Sequence, residues 1–116
     1  MRIATLVLDS TYGRSAVGVR ARLERADGRD WQVVADACTD AKGCIDDWDG
    51  WLVEPGLYRI VFDTDGYFTG LGMSGAYPEV VLMFRIRDES DICELQLTLS
   101  PHSFSTYFGY VDSHIS

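Results

Sequence analysis

The sequence predicts an all-β domain, and three of its features carry that expectation. Apolar and polar residues alternate with a period of two through several short runs, Gly, Asp and Pro turns separate the runs at close spacing, and only one stretch has a helical pattern. Short strands joined by tight turns form a sandwich or a barrel. At 116 residues and 47% hydrophobic content, the chain is long enough for one core and short for two, so a single domain over residues 1–116 is expected.

The strands follow in order. Residues 3–8 give a first strand, and a polar loop over 10–15 leads to a second run over 17–24. There Val17, Val19, Ala21 and Leu23 face one way while Arg20, Arg22 and Glu24 face the other, the pattern of a half-buried strand. Asp27-Gly28 marks a turn before the run at 31–35. Residues 40–43 turn the chain into Cys44-Ile45, and Glu54-Pro55-Gly56 launches the clean alternation of 57–62. Further strands fit residues 79–87, 92–99 and 104–110, which makes eight in all. Residues 65–71 suggest the one short helix, with Asp63 or Thr64 as its cap and two glycines limiting its length. The irregular stretch over 46–51 holds Trp48 and Trp51. These rings could be core anchors, packing for a neighbouring loop or a lid over a ligand, and packing is expected because tryptophans in a small β domain bury area first.

Composition excludes several classes of function. The formal charge is −8, and one lysine, Lys42, stands with nine arginines. No basic stripe exists to neutralise a row of phosphates, so nucleic acid is not an expected partner. The apolar start reaches Asp9 too soon for a secretory signal or a membrane span, and a cytoplasmic location is expected. Cys38, Cys44 and Cys93 form an odd set with no C-x-x-C pair, which points to reduced thiols. Neither His102 nor His114 has a second ligand at hairpin or helical spacing, so no metal centre and no cofactor are expected.

Four segments then carry a family resemblance. Leu6-Val7-Leu8-Asp9-Ser10-Thr11-Tyr12-Gly13-Arg14-Ser15-Ala16-Val17-Gly18-Val19 and the turn Thr39-Asp40-Ala41-Lys42-Gly43 come first. Pro55-Gly56-Leu57-Tyr58, running on to Phe62-Asp63-Thr64-Asp65-Gly66-Tyr67-Phe68 and Tyr77-Pro78-Glu79-Val80, is the third. The last is Leu99-Ser100-Pro101-His102-Ser103-Phe104-Ser105-Thr106-Tyr107. In order and spacing these resemble the transthyretin and 5-hydroxyisourate hydrolase family. The resemblance implies a transthyretin-like (prealbumin-like) eight-strand antiparallel β-sandwich with one short helix. It implies as well a homo-oligomer, a dimer or a tetramer of stacked dimers, with small-molecule sites in a central channel. Residues 111–116 are a C-terminal extension beyond the family's usual end.

The family's hydrolases carry a His just before Val-Leu-Asp, an Arg after the later turn, a His near the start of the seventh strand and a closing Tyr-Arg-Gly-Ser. The corresponding positions here are Leu6, Cys44, Glu94 and Tyr107-Phe108-Gly109-Tyr110. Imidazole activates water and guanidinium holds an anion, so ordinary 5-hydroxyisourate hydrolysis is not expected from these residues. The expectation is instead a relatively apolar ligand that is cyclised or isomerised against Leu6, Phe108 and Tyr110. Glu94, Tyr107, Tyr110 and Cys44 are the catalytic candidates, and Leu6, Phe108 and His102 the substrate-binding ones. A non-catalytic binding protein, or a hydrolase of another cyclic amide or ester, stands as the alternative.

Overall fold

Alternating strands bury one face each, and two sheets that share those faces give the observed layers. The computed structural model describes residues 2–46, 48, 54–87 and 92–111. Trp51 and the tail over 112–116, His114 included, lie outside the described residues.

In chain order the elements are β1 (Arg2–Asp9), β2 (Arg14–Ser15), β3 (Arg20–Asp27), β4 (Asp30–Cys38), β5 (Cys44–Ile45), β6 (Gly56–Phe62), α1 (Thr64–Gly70), β7 (Val80–Ile86), β8 (Ile92–Ser100) and β9 (Ser103–Val111). One sheet runs β2-β1-β8-β9, with β5 also paired to β1, and the other runs β4-β3-β6-β7. The eight expected strands are present, and the two-residue β2 is a ninth. Neighbours are antiparallel except β1 and β8, which run parallel along their whole length. The free side of β1 is shared: β5 takes Thr5 and Leu6, and β2 takes Leu8 and Asp9.

The core lies between the sheets. Val7, Leu95, Leu97 and Leu99 from one meet Leu23, Tyr58, Ile60 and Phe62 from the other, all essentially inaccessible. Each such side chain is worth about 1.5–3 kcal/mol buried, against about 0–1 for an exposed ion pair, so this layer sets which residues face outward. Trp48 is buried in the same cluster, as expected for packing. The helix is capped by Asp63, whose carboxylate accepts from the Gly66 N–H at 2.9 Å. Phe68 buries into the core, and the Tyr67 hydroxyl donates to Asp9 at 2.6 Å. Burial, then the adjacent Asp9 carboxylate, pushes the Tyr67 phenol up to about 12.

Two expectations for β3 need correction. The strand begins at Arg20 rather than Val17, because Gly18 takes a left-handed φ of 77° and leaves Val17 exposed. Glu24 does not face solvent: it is 5% exposed. It stands opposite Arg59 of β6 in a continuous register, while the register with β4 shifts between Leu23 and Glu24. Its carboxylate accepts from the Arg22 Nε at 2.6 Å and from the Arg59 Nε, while the Arg59 guanidinium lies 4.2 Å from the Trp31 ring centroid. Burial pushes this carboxyl up, but the Arg22 and Arg59 hydrogen bonds outweigh it and hold Glu24 below its ordinary value.

A depressed carboxyl stabilises the fold above its unfolded value of 4.5 and loses that contribution as pH falls through the folded value. Glu24→Gln should therefore lower stability at pH 7 by about 2 kcal/mol. The gap to the parent should narrow on acidification below 4.5. Urea unfolding at neutral and acid pH measures both, and a gap independent of pH would show that the ion cluster is not its source.

Candidate functional site

The turn before β5 begins the site. Thr39 is buried, with its hydroxyl donating to the Ala16 carbonyl at 2.7 Å and accepting from the Val19 N–H at 2.9 Å. Asp40 then folds the turn by accepting from the N–H groups of Lys42 at 2.8 Å and Cys44 at 3.0 Å. Those two bonds, Cys44 first, hold its carboxyl below the usual range. Gly43 closes the turn at φ 78° against β1, where its carbonyl accepts from the Val7 N–H at 2.8 Å. A Cβ there would stand 2.5 Å from the Val7 carbonyl oxygen, so only glycine fits. The outcome is that Cys44 pairs with Leu6.

Paired residues share a face, and the face of the first sheet away from the core follows from the register. Ala4, Leu6 and Leu8 of β1 stand beside Glu94, Gln96 and Thr98 of β8. Gly109, Tyr107 and Ser105 of β9 stand beside the same three in turn. Leu6, Gln96 and Tyr107 thus form one row, with Cys44 at its β5 end, and Ala4, Glu94 and Gly109 form the next. Tyr107 leans along β9, so that a Cβ on Gly109 would collide with its hydroxyl. The phenol therefore lies over the row of Glu94 rather than its own. Glu94 and Tyr107 are exposed, Leu6, Cys44 and Gln96 are half-buried, and none of these outward positions carries a basic side chain.

The structure divides the sequence-based candidates. Leu6, Cys44, Glu94 and Tyr107 come together on this face. Phe108 and Tyr110 do not, because Phe108 is the partner of core residue Leu95 and Tyr110 of core residue Cys93, which turns both to the opposite side. Phe108 packs at 5.2 Å from the Phe84 ring, and the Tyr110 hydroxyl donates to the Arg85 carbonyl at 3.1 Å. They fasten β9 to β7 rather than wall a pocket. His102 is exposed in the turn between β8 and β9, away from the two rows. Burial, then Asp46 and Asp40, pushes the Cys44 thiol up against the weaker pull of Lys42. It is protonated at neutral pH, which suits a wall better than a nucleophile. Gln96 was missed from sequence, although it shares the parity of Glu94 on one strand.

A hollow of about 440 Å³ lies on the other sheet, lined by Arg20, Arg22, Asp36, Cys38, Asp63 and Glu79 among others. Two of its polar groups are engaged already, Arg22 with Glu24 and Asp63 with the helix N-terminus. It is open, and its lining is the solvated side of β3 and β4; the two rows on the first sheet have the better chemistry.

Comparison with known proteins agrees on family and fold. The model of the HIUase/Transthyretin family matches residues 3–109. A 5-hydroxyisourate hydrolase of Pseudomonas aeruginosa is 33% identical over 114 residues, covering 93% of this chain and 90% of that protein. The solved structure of Klebsiella pneumoniae 5-hydroxyisourate hydrolase superposes with a TM-score of 0.83 at 27% identity, over 94% of this chain and 99% of that one. Sea bream transthyretin in complex with thyroxine gives 0.88 at 26% identity, over 97% and 98%. The expectation of an apolar ligand cyclised or isomerised is overturned by the Pseudomonas aeruginosa and Klebsiella pneumoniae relatives, which are named as hydrolases and match over nearly the whole chain. The structure supplies the physical reason: the aromatic wall assumed from Phe108 and Tyr110 points elsewhere.

Gly43→Ala should cost about 2 kcal/mol or more, from the left-handed backbone together with the contact on the Val7 carbonyl. Thermal or urea unfolding measures it, and a loss below 0.5 kcal/mol, roughly that of an ordinary surface change, would remove the turn from the construction of the site.

Proposed function

Since the chain belongs to the HIUase/transthyretin family, we propose that it is an enzyme that hydrolyses 5-hydroxyisourate, with Glu94 as the general base. The observation that carries this reading is the match to a 5-hydroxyisourate hydrolase over 93% of the chain. The face described above supports it with a suitable set of groups. Glu94 stands where the resemblance places a histidine of the hydrolases, and a carboxylate can do the same work on water. The Tyr107 hydroxyl, held over the Glu94 row by the absence of a Cβ at Gly109, is a donor for the oxygen that gains charge.

The step is the opening of a ring amide. Glu94 takes a proton as water attacks the carbonyl carbon, and the new C–O bond leaves negative charge on the carbonyl oxygen near Tyr107. The C–N bond then breaks, and the proton passes from Glu94 to the leaving nitrogen. One water is consumed, one carboxylic acid and one amine form, and the enzyme ends as it began. Leu6 and Cys44 supply the apolar end of the face and limit access of bulk water to it.

Purified protein should speed the decay of freshly generated 5-hydroxyisourate, followed by its ultraviolet absorbance. Glu94→Gln should lower kcat by about 100-fold or more, the usual scale for losing a general base. Decay no faster than in buffer would end the proposal.

The same reading includes a homo-oligomer. β7 and β9 each end a sheet with one unpaired edge, and Met83 and Tyr107 upon them are each 58% exposed. A second copy that covers these edges removes open backbone groups and apolar surface together. Sedimentation at micromolar concentration should give a dimer or tetramer, and a monomer would refute this part.

A further inference from the structure

Gln96 occupies the middle of the outward face, with Leu6 on one side in β1 and Tyr107 on the other in β9. It is half-buried, and its carboxamide makes no hydrogen bond among the described residues. Its backbone carbonyl, by contrast, accepts from the Thr106 hydroxyl at 2.8 Å, which ties β8 to β9 beneath it. A primary carboxamide offers a donor and an acceptor side by side in one plane. Glu94 is the adjacent outward residue on the same strand, about 6.6 Å along at the usual rise. That spacing suits a small heterocycle bridging the two side chains.

We propose that Gln96 recognises the cis-amide edge of the substrate ring. Its Nε2 donates to the ring carbonyl oxygen that is attacked, and its Oε1 accepts from the neighbouring ring N–H. The inference rests on the hydrolase reading for the reaction that this contact serves. Within a small ring the C=O and N–H of one amide point the same way, so both bonds form at once; in an open-chain trans amide they point apart, and one of the two is lost. With no cation in the row of Leu6, Gln96 and Tyr107 or in the row of Ala4, Glu94 and Gly109, recognition by a neutral matched pair replaces recognition by charge. The same contact distinguishes substrate from product. Hydrolysis parts the matched edge into an amine and a carboxylate that a ring no longer holds side by side, and the new carboxylate lies beside the Glu94 carboxylate, which favours release.

The test uses two purines whose aromatic rings resist opening by water. Xanthine presents cis-amide edges with ring N–H groups, whereas caffeine has those nitrogens methylated. Calorimetry on the full chain should show xanthine bound about tenfold more tightly than caffeine, the scale of a pair of hydrogen bonds against one lost. Gln96→Leu should bring the two affinities within threefold, with an unchanged circular dichroism spectrum as the sign that the fold is intact. Gln96→Glu, which keeps the size but replaces the donor by an acceptor, should bind xanthine more weakly than Gln96→Leu does. Equal binding of both purines by the parent, binding of neither, or a preference that survives in Gln96→Leu overturns the assignment. Turnover separates this inference from the reading beneath it. If 5-hydroxyisourate is not hydrolysed but the xanthine preference depends on Gln96, the hydrolase reading falls and the recognition stands; if hydrolysis proceeds and Gln96→Leu leaves kcat/KM unchanged, the reverse holds.

Discussion

The parallel pairing of β1 with β8 is the constraint from which both the core and the face follow. It runs from Arg2 opposite Ile92 to Asp9 opposite Leu99. Its end is fixed by Ser10, whose N–H and hydroxyl both donate to the Leu99 carbonyl at 2.9 and 3.0 Å. Because side chains alternate, a slip of either strand by one residue would exchange its two faces. Leu6 or Gln96 would then enter the core while Val7 or Leu97 met water. The burial of Val7, Leu95 and Leu97 therefore selects the one register in which Leu6, Glu94 and Gln96 stand together. These three positions need no separate device, since the core assembles them.

This explains why much of the fold was legible and some of the site was not. Periodicity located the runs that became β6, β7 and β8, and the Asp63 cap followed from a polar residue ahead of a short apolar helix. Glu24 could not be placed in the same way. Its burial depends on the guanidiniums of Arg22 and of Arg59, the latter 35 residues away, and alternation along one strand does not contain that pairing. The error over Phe108 and Tyr110 was of another kind. The period of β9 was evident, and Tyr107 outward requires Phe108 inward; reading residues 107–110 as one block of motif set that parity aside. Parity also held the signal for Gln96, two residues from Glu94.

The two sheets treat charge differently on their outer faces. On the second, Arg22, Glu24 and Arg59 satisfy one another beside Trp31, an arrangement in which each ion is held by a specific partner. Buried carboxylates persist only when paired in this way. On the first, Glu94 has no such partner among the described residues, and the groups around it are Leu6, Cys44, Gln96 and Tyr107. An anchored carboxylate such as Glu24 cannot accept a proton cheaply, because its arginines oppose it. The contrast within a single small domain gives structural duty to Glu24 and leaves Glu94 outside any ion pair among the described residues.

Gly109 shows how narrowly such an arrangement depends on the backbone. Tyr107 has Gln96 as its cross-strand partner, so a side chain standing upright would place its phenol in the middle row. It leans over Gly109 instead, toward the row of Glu94, because no Cβ stands in the way. Carboxylate, phenol and carboxamide are thereby gathered on two adjacent strands within two rows. Strands fix such positions more firmly than loops do, which matters where small displacements of a reacting group cost rate. A larger residue at 109 would keep every chemical group and still separate the phenol from the carboxylate. The chemistry available to this face therefore depends on a position that contributes no functional group of its own.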